Sequence, residues 1–366
     1  MTKLLRMLPF LVVMVAVLYL GNLVVFRALV LAFNIQDLAK LQTVALSLGI
    51  FSSSFIISTI LGNTFYNFFT RVYYYLASVW IGFFTYAFIV SLVYGLLTTF
   101  STSFIPVGPF LFEIAALVSI YGVLHARTIV TTRVTVSLPN LPSSWHGRKA
   151  VWISDIHLGP LYNSNFSKRI ADQIMALAPD IIFVGGDLYD GTNAPSIQDH
   201  TAPLQKLTAP FGVHFITGNH EEYGDLAQFL SVVQSVGMKV LKDEVVECDG
   251  LQIVGLDYHT TSKRDSFKKV MDSLALDRAK PSILLKHVPL DLDVAEEAGI
   301  SLTISGHTHN AQMWPLTYIA QSVHKGYAYG LKRLKNMQVF TSSGTGTWGP
   351  PMRVGTDCEI VLLSFE

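Results

Sequence analysis

The strongest constraint in this chain is where its charges lie. Of its 52 Lys, Arg, Asp and Glu residues, seven fall before residue 125: Lys3, Arg6, Arg27, Asp37, Lys40, Arg71 and Glu113. Residues 7–26, 41–70 and 72–112 carry no charge. A helix needs about 20 apolar residues to cross the hydrocarbon core of a bilayer. The expectation is therefore four membrane spans, Leu8–Phe26, Thr43–Phe65, Val72–Leu97 and Phe104–His125, with Ser101–Ser103 and the Pro106/Pro109 pair turning the chain into the last. The first span starts basic and then runs apolar, as a signal peptide does. It is long, however, lacks a clear small-residue cleavage site and has three more spans after it. Glu113 is the sole acid in a predicted span and lies near a helix end, from which it can reach the interface. A relay of intramembrane charges of the kind a transporter uses is missing.

The remaining residues hold 45 charges, so the chain has two parts suited to different solvents. The expected division is a membrane segment at 1–126 and a second domain at 127–366. An apolar fraction of 51% and a mean hydropathy of +0.42 exclude a disordered, collagenous or wholly soluble chain. Basic and acidic residues balance at 26 each, so nucleic-acid binding is not expected. Cys248 and Cys358 are too few for a disulfide framework. With four spans, Lys3, Arg6, Arg71, Arg127 and Arg133 share one side, and Arg27 and Lys40 the other. That bias favours an integral, multi-pass protein whose N-terminus and second domain are cytoplasmic. The oligomeric state cannot be read from the sequence.

The second domain alternates short apolar runs with amphipathic stretches. Strands are expected at Ala150–Ser154, Asp180–Val184, Val213–Ile216, Leu251–Leu256, Ser282–Leu285, Leu302–Ser305, Gln338–Thr341 and Glu359–Ser364. Helices are expected at Phe166–Leu177, Asp225–Val236 and Asp265–Leu274. This pattern reads as a layered α/β domain. In such sheets ligands gather where loops leave the carboxyl ends of strands.

Five of those loops carry metal-binding chemistry: Asp155-Ile156-His157, Gly186-Asp187, Gly218-Asn219-His220-Glu221, His287 and Gly306-His307-Thr308-His309. Asp155 to Asp187 and Asp187 to Asn219 are both 32 residues, the length of one βαβ unit, so all five clusters can lie on one edge of a sheet. Two carboxylates, an Asn carbonyl and several imidazoles, with no thiolate, suit Mn²⁺, Fe²⁺/³⁺ or Zn²⁺. The ligands are too many for one ion, and a bridging Asp would let two divalent ions sit side by side. His200, His214, His259 and His324 fall outside these clusters and read as structural, and Asp257 reads as a helix cap as readily as a catalytic acid.

In this order, D-x-H, GD, GNH-E, an isolated His and G-H-x-H resemble the calcineurin-like metallophosphoesterases over about Ala150–Glu366. With the preceding membrane segment and the run Gly344–Arg353, the chain is similar to the branch of transmembrane proteins with a metallophosphoesterase domain. Some bacterial relatives of that branch cleave the pyrophosphate of UDP-diacylglucosamine. The resemblance implies a layered sheet sandwich flanked by helices. It implies that Asp155, His157 and His309 hold one metal, Asn219, His287 and His307 the other, and that Asp187 bridges them. It further implies that His220 faces the scissile phosphate, oriented by Glu221, while a metal-bound hydroxide attacks a phosphodiester, pyrophosphate or phosphomonoester bond. Two departures stand out: Asn310-Ala311-Gln312 where many relatives have Gly-Gly-Gln, and Glu221 where many have Asp. Arg353 and Trp348 are candidates for binding substrate, as a phosphate partner and as a stacking or lipid contact. The membrane location makes a lipid-linked substrate and membrane lipid the expected partners. The alternative is a regulatory membrane protein, a sensor or transporter-associated subunit whose phosphoesterase module is not its main activity.

Overall fold

A computed structural model describes residues 2–191 and 196–366, with the side chains of 2–14, 63 and 64 outside the description. Lys3 and Arg6, on which the orientation argument leans, therefore lie outside the described side chains. The chain divides into a helical unit, Met1–Leu124 with Gly349–Met352, and an α/β unit, His125–Trp348 with Arg353–Glu366.

The helical unit contains α1 (Thr2–Ala32), α2 (Leu38–Thr64), α3 (Phe68–Phe100) and α4 (Gly108–His125). Among the described residues, four stretches are long and apolar enough to cross a membrane: Val15–Ala32, Leu38–Gly62, Phe68–Phe100 and Thr102–His125. The helices begin where the sequence supplies caps. Asp37 accepts the Lys40 amide at α2, and Asn67 with Thr70 closes a capping box at α3. Small residues set the packing distance: a Cβ on Gly108 would lie 2.5 Å from Ala32 Cβ and 2.7 Å from Tyr94 Cζ. Such close approach is how helices associate where lipid removes the hydrophobic drive. Val25, Ala28, Leu48, Phe84, Tyr94 and Phe112 form the buried seam. Glu113 is exposed.

The α/β unit holds two six-stranded sheets. Its strands are β1 (Ile129–Val136), β2 (Lys149–Ile153), β3 (Ile181–Val184), β4 (Val213–Phe215), β5 (Lys239–Val240) and β6 (Glu244–Cys248), followed by β7 (Leu251–Gly255), β8 (Ser282–Leu285), β9 (Leu302–Ser305), β10 (Gly330–Leu334), β11 (Met337–Thr341) and β12 (Cys358–Phe365). One sheet runs β1-β12-β2-β3-β4-β5 and the other β10-β11-β9-β8-β7-β6. Trp145, Trp152, Phe183, Ile253, Ile283, Leu302, Phe340 and Phe365 pack between the sheets. Helices cover the outer faces; Phe267, Met271, Leu292 and Ala295, for example, close over Val254 and Leu284. Strands β2, β3, β8 and β9 are thus buried on both faces, as their near-continuous apolar runs require.

All eight expected strands are present, as are helices at Ser164–Ala176, Leu226–Ser235 and Arg264–Ser273. One expectation needs correction. The five loops do not leave one sheet edge: three follow β2, β3 and β4, and two follow β8 and β9 of the other sheet. The site is built where the carboxyl ends of two sheets meet.

Candidate metal centre

The backbone turns sharply after β2, β3 and β9, three of the strands that feed the site. Asp155, His157, Asp187, His307 and His309 all have positive φ, between 48° and 69°. Non-glycine residues rarely adopt this region, and their clustering marks positions held by their surroundings. Glycines make the approach possible. A Cβ on Gly306 would lie 2.3 Å from Asp155 Oδ2, and Gly186 turns at φ 87° against the Gly218 amide.

The side chains converge in two groups that a third, overlapping one links. Asp155, His157 and His309 bring ligand atoms within 4.8 Å of one another, and so do Asp187, His287 and His307. His157 Nε2 lies 3.0 Å from His309 Nε2, and His309 Nε2 lies 3.7 Å from Asp155 Oδ1. His287 Nε2 lies 3.1 Å from Asp187 Oδ2 and 3.2 Å from Asn219 Oδ1. The other nitrogen of that ring, Nδ1, is 2.8 Å from the Gly185 carbonyl. A donor at Nδ1 leaves Nε2 as a lone pair facing the cluster, the arrangement ligating histidines use. A third group, His157, Asp187 and His220, overlaps these two.

Asp155 and Asp187 are buried beside the buried Glu221. The buried cation Arg353 is not aimed at them. Its Nη1 donates to the His309 carbonyl at 2.8 Å, and its Nη2 donates to Ser343 at 2.6 Å and Gly346 at 2.7 Å. Buried carboxylates normally require a partner charge. Here convergent imidazoles and an amide oxygen surround them instead, a donor set that fits divalent cations.

The titrations reflect the same crowding. Burial alone would raise the Asp187 carboxyl, yet His287 and its hydrogen bond hold it well below the usual carboxylate range. Burial would lower His287, but Asp187 and Asp155 lift it to about 9. His307, half-buried and facing His287, is pushed down to about 3 by desolvation and then by that ring. Glu221 is raised to about 7, by burial first and then by Asp187.

Two expected roles are corrected by this geometry. Glu221 does not orient His220. Its Oε2 accepts the amides of Asp187 at 2.9 Å and Gly218 at 2.7 Å, and its Oε1 accepts that of Tyr189 at 3.2 Å. It ties the β3 and β4 loops together. The carboxylate facing the His220 ring is Asp190, with Oδ1 3.8 Å from His220 Nδ1 and 3.5 Å from His157 Nδ1. The sequence signal for Asp190 was its place three residues after Asp187 in the same loop. Arg353 is the second correction: fully buried, it locks the loop behind His309 and is closed to a substrate phosphate. Trp348 is 54% exposed, with its ring 5.7 Å from His220. Tyr223 flanks His220 on another edge at 4.9 Å and accepts a hydrogen bond from Asn219 Nδ2 at 3.2 Å.

The remaining histidines lie around this centre or away from it. His214 Nε2 is 2.8 Å from the Phe211 carbonyl, and His259 is exposed beside Glu222. His200 is buried on the helix Ile197–Thr201. His324 sits edge-on to His307 at 6.2 Å. Asp257 does not cap with its side chain; it accepts from Thr217 Oγ1 at 2.5 Å and so steadies the loop that carries Asn219.

Comparison with known proteins follows the same outline. A family model described as calcineurin-like phosphoesterase matches residues 148–311. An uncharacterized metallophosphoesterase of Helicobacter pylori strain J99 is 32% identical over 219 residues, 59% of this chain and 59% of that one. The Bos taurus protein named transmembrane protein with metallophosphoesterase domain is 31% identical over 273 residues, 69% of this chain and 61% of its own length. An uncharacterized metallophosphoesterase of Aquifex aeolicus is 30% identical over 261 residues, 69% of this chain and 98% of that one. The chain thus spans about three fifths of the first two relatives and nearly all of the third.

Proposed function

The chain belongs to the calcineurin-like metallophosphoesterases, and from that premise we propose that it is a membrane-anchored phosphoesterase with two divalent metal ions, acting on a phosphodiester, pyrophosphate or phosphomonoester carried in or near the bilayer. The observation that carries this reading is two ligand clusters, Asp155/His157/His309 and Asp187/His287/His307, joined by a third that contains both His157 and Asp187. Asp155, His157 and His309 would hold one ion and Asn219, His287 and His307 the other, with Asp187 between them. Divalent ions bound there would supply Lewis acidity toward phosphate oxygens and a more acidic water.

The protein's own groups supply the rest. His220 is held by its backbone amide, which donates to Asp187 Oδ1 at 2.8 Å. As the imidazolium, with Nδ1 toward Asp190, the ring would give its Nε2 proton to the leaving oxygen and be left neutral. Asp190 is the positioning residue for this ring and for His157. Replacing it with Asn is expected to lower turnover about 10- to 100-fold with the fold intact, the usual cost of losing a partner of a ligating histidine. Trp348 and Tyr223 flank the mouth and offer flat apolar faces to the organic part of the substrate.

A lipid-linked substrate is supported by the four apolar helices in the same chain. A cytoplasmic catalytic unit is supported by the Lys/Arg bias of the short loops. The test is hydrolysis by purified, Mn²⁺-loaded protein of a phosphomonoester, a phosphodiester and a nucleoside-diphosphate lipid, beside Asp187→Asn and Asn219→Ala. Turnover lost in both variants, with two metals per chain in the wild type, is the expected result. A wild type without metal and without turnover on all three substrates would defeat the reading.

A further inference from the structure

The α/β unit has an apolar surface that its core does not use. Eight large hydrophobic side chains of this unit are exposed among the described residues, and four of them lie in one stretch of ten: Trp314 at 53%, Tyr318 at 69%, Ile319 at 61% and Val323 at 61%. The last three stand on the short helix Thr317–Val323, which buries none of its residues. Exposed apolar side chains are ordinary when scattered, but a contiguous group marks a surface that meets something apolar.

Charge identifies the occupant. Between Glu297 and Asp357 the chain has no acid, while Lys325, Lys332, Arg333, Lys335 and Arg353 fall in that interval. Arg353 is buried and Lys335 is paired with Glu296 at 2.8 Å. Lys325, Lys332 and Arg333 are exposed, and Leu331 beside them is 41% exposed. Apolar and aromatic side chains followed by cations are the composition of a segment lying in the interface of an anionic bilayer. Trp and Tyr in particular settle at headgroup depth. A second copy of the chain fits less well, because a two-fold contact sets the same patch against itself and its cations against one another.

The patch is tied to the loop beside the metal centre. Gln312, two residues before Trp314, donates to the Trp348 carbonyl at 2.9 Å and accepts the Trp348 amide at 2.7 Å.

We propose that Trp314–Val323 inserts into the interface of an anionic membrane, with Lys325, Lys332 and Arg333 on the lipid headgroups, so that the loop carrying His307 and His309 is presented to the headgroup layer. The proposal rests on the membrane reading of α1–α4 and not on phosphoesterase activity.

The test uses the full chain in proteoliposomes. Ile319→Cys carries an environment-sensitive fluorophore, and Ser235→Cys, exposed on the helix Leu226–Ser235, serves as the reference; Cys248 and Cys358 are buried and unlabelled wild type checks them. In vesicles containing phosphatidylglycerol, nitroxide lipids should quench the label at 319 several-fold more than at 235, and aqueous iodide should quench it several-fold less. Neutral vesicles, or the Lys332→Glu/Arg333→Glu variant, should shrink that contrast. Equal iodide quenching at 319 and 235 in anionic vesicles would overturn the proposal. So would protection at 319 that persists in detergent and grows with protein concentration, since that would identify a second copy as the occupant.

Discussion

The two units of this chain satisfy their buried polar groups in opposite ways. In the helical unit hydroxyls bond back to the turn that carries them: Ser91 to Ala87 at 2.7 Å, Ser119 to Ala115 at 2.7 Å and Thr85 to Ile81 at 2.9 Å. These needs are met within four residues, as suits a helix in lipid, while Ser52 Oγ donates to Asn22 Oδ1 of the neighbouring helix at 3.0 Å. In the α/β unit the buried groups reach across the fold. Glu221 gathers three amides of two loops, and Arg353 gathers three carbonyls. Glu359 accepts from Thr132, more than 200 residues away, at 2.5 Å, and from Ser342 at 2.9 Å and Ser343 at 2.8 Å. The helical unit is held by local bonds and shape, the α/β unit by non-local bonds that also position chemistry. A substitution in one should cost packing, and in the other, function or charge.

The sharpest separation is expected from Asp187→Asn. Turnover should fall about 1,000-fold or more, equivalent to about 4 kcal/mol of transition-state stabilisation, while thermal unfolding of the metal-free protein changes little or rises. Parallel activity and unfolding measurements check both halves. Unchanged turnover would break the comparison, because the residue at the centre of the polar network would then have no chemical role.

Lys286 tests the charge side. Its amine is buried and donates to the Val288 carbonyl at 2.6 Å, and burial pushes its pKa down to about 8. The unfolded value is about 10.4. Below pH 8 both states hold the proton and the full cost of burying the charge is present. Between about 8 and 10.4 the unfolded state binds more protons than the folded one, so stability rises with pH across that window. Lys286→Met should therefore stabilise the metal-free protein by on the order of 3 kcal/mol at pH 7, a gain that shrinks toward zero by about pH 10. Denaturant titrations at several pH values would show it, and a gain independent of pH would count against a charge origin.

In the helical unit the matching change is Gly108→Ala, whose new methyl meets Ala32 and the Tyr94 ring. Overpacking of this kind costs about 1–3 kcal/mol, and turnover per folded molecule should stay the same. A steric-trap or denaturant assay in detergent checks the cost. The smallest effect is expected at Ala311, with φ 55° beside Asn310 at 48° and Gln312 at 57°. A left-handed conformation costs an L-residue about 1–2 kcal/mol, partly offset by the extra freedom glycine gains when unfolded. Ala311→Gly should stabilise by up to about 1 kcal/mol, read as a higher melting temperature. The glycines that the resemblance expects at 310 and 311 thus have a backbone reason.

These contrasts also explain what could be read in the sequence. The spans were legible because an uncharged run records its solvent residue by residue. The candidate ligands were legible because each follows a strand directly. Strand β1, Ile-Val-Thr-Thr-Arg-Val-Thr-Val, was not, because it abuts the last span and alternates weakly. Strands β5, β6 and β10 are short or carry exposed charges. The split into two sheets was hidden because pairing is non-local: β11 lies beside β9, and β12 between β1 and β2. Arg353 and Trp348 come from one Gly/Pro-rich loop, yet one is buried and the other exposed. Which residue turns inward depends on carbonyls at 309, 343 and 346, and that lies beyond local pattern.

Strand β12 has a consequence for biosynthesis. It lies between β1 and β2, pairing in parallel with Ile129–Val136 on one side and antiparallel with β2 on the other. The first strand made after the last span therefore waits for residues 358–365 before it has its neighbour. At about 5–20 residues per second, translating the stretch between them takes roughly 10 to 45 s. Throughout that interval β1 presents an unpaired edge, a template for wrong pairing. Ribosome stalling or premature release within this stretch would leave a chain that is already inserted in the membrane but cannot complete its first sheet.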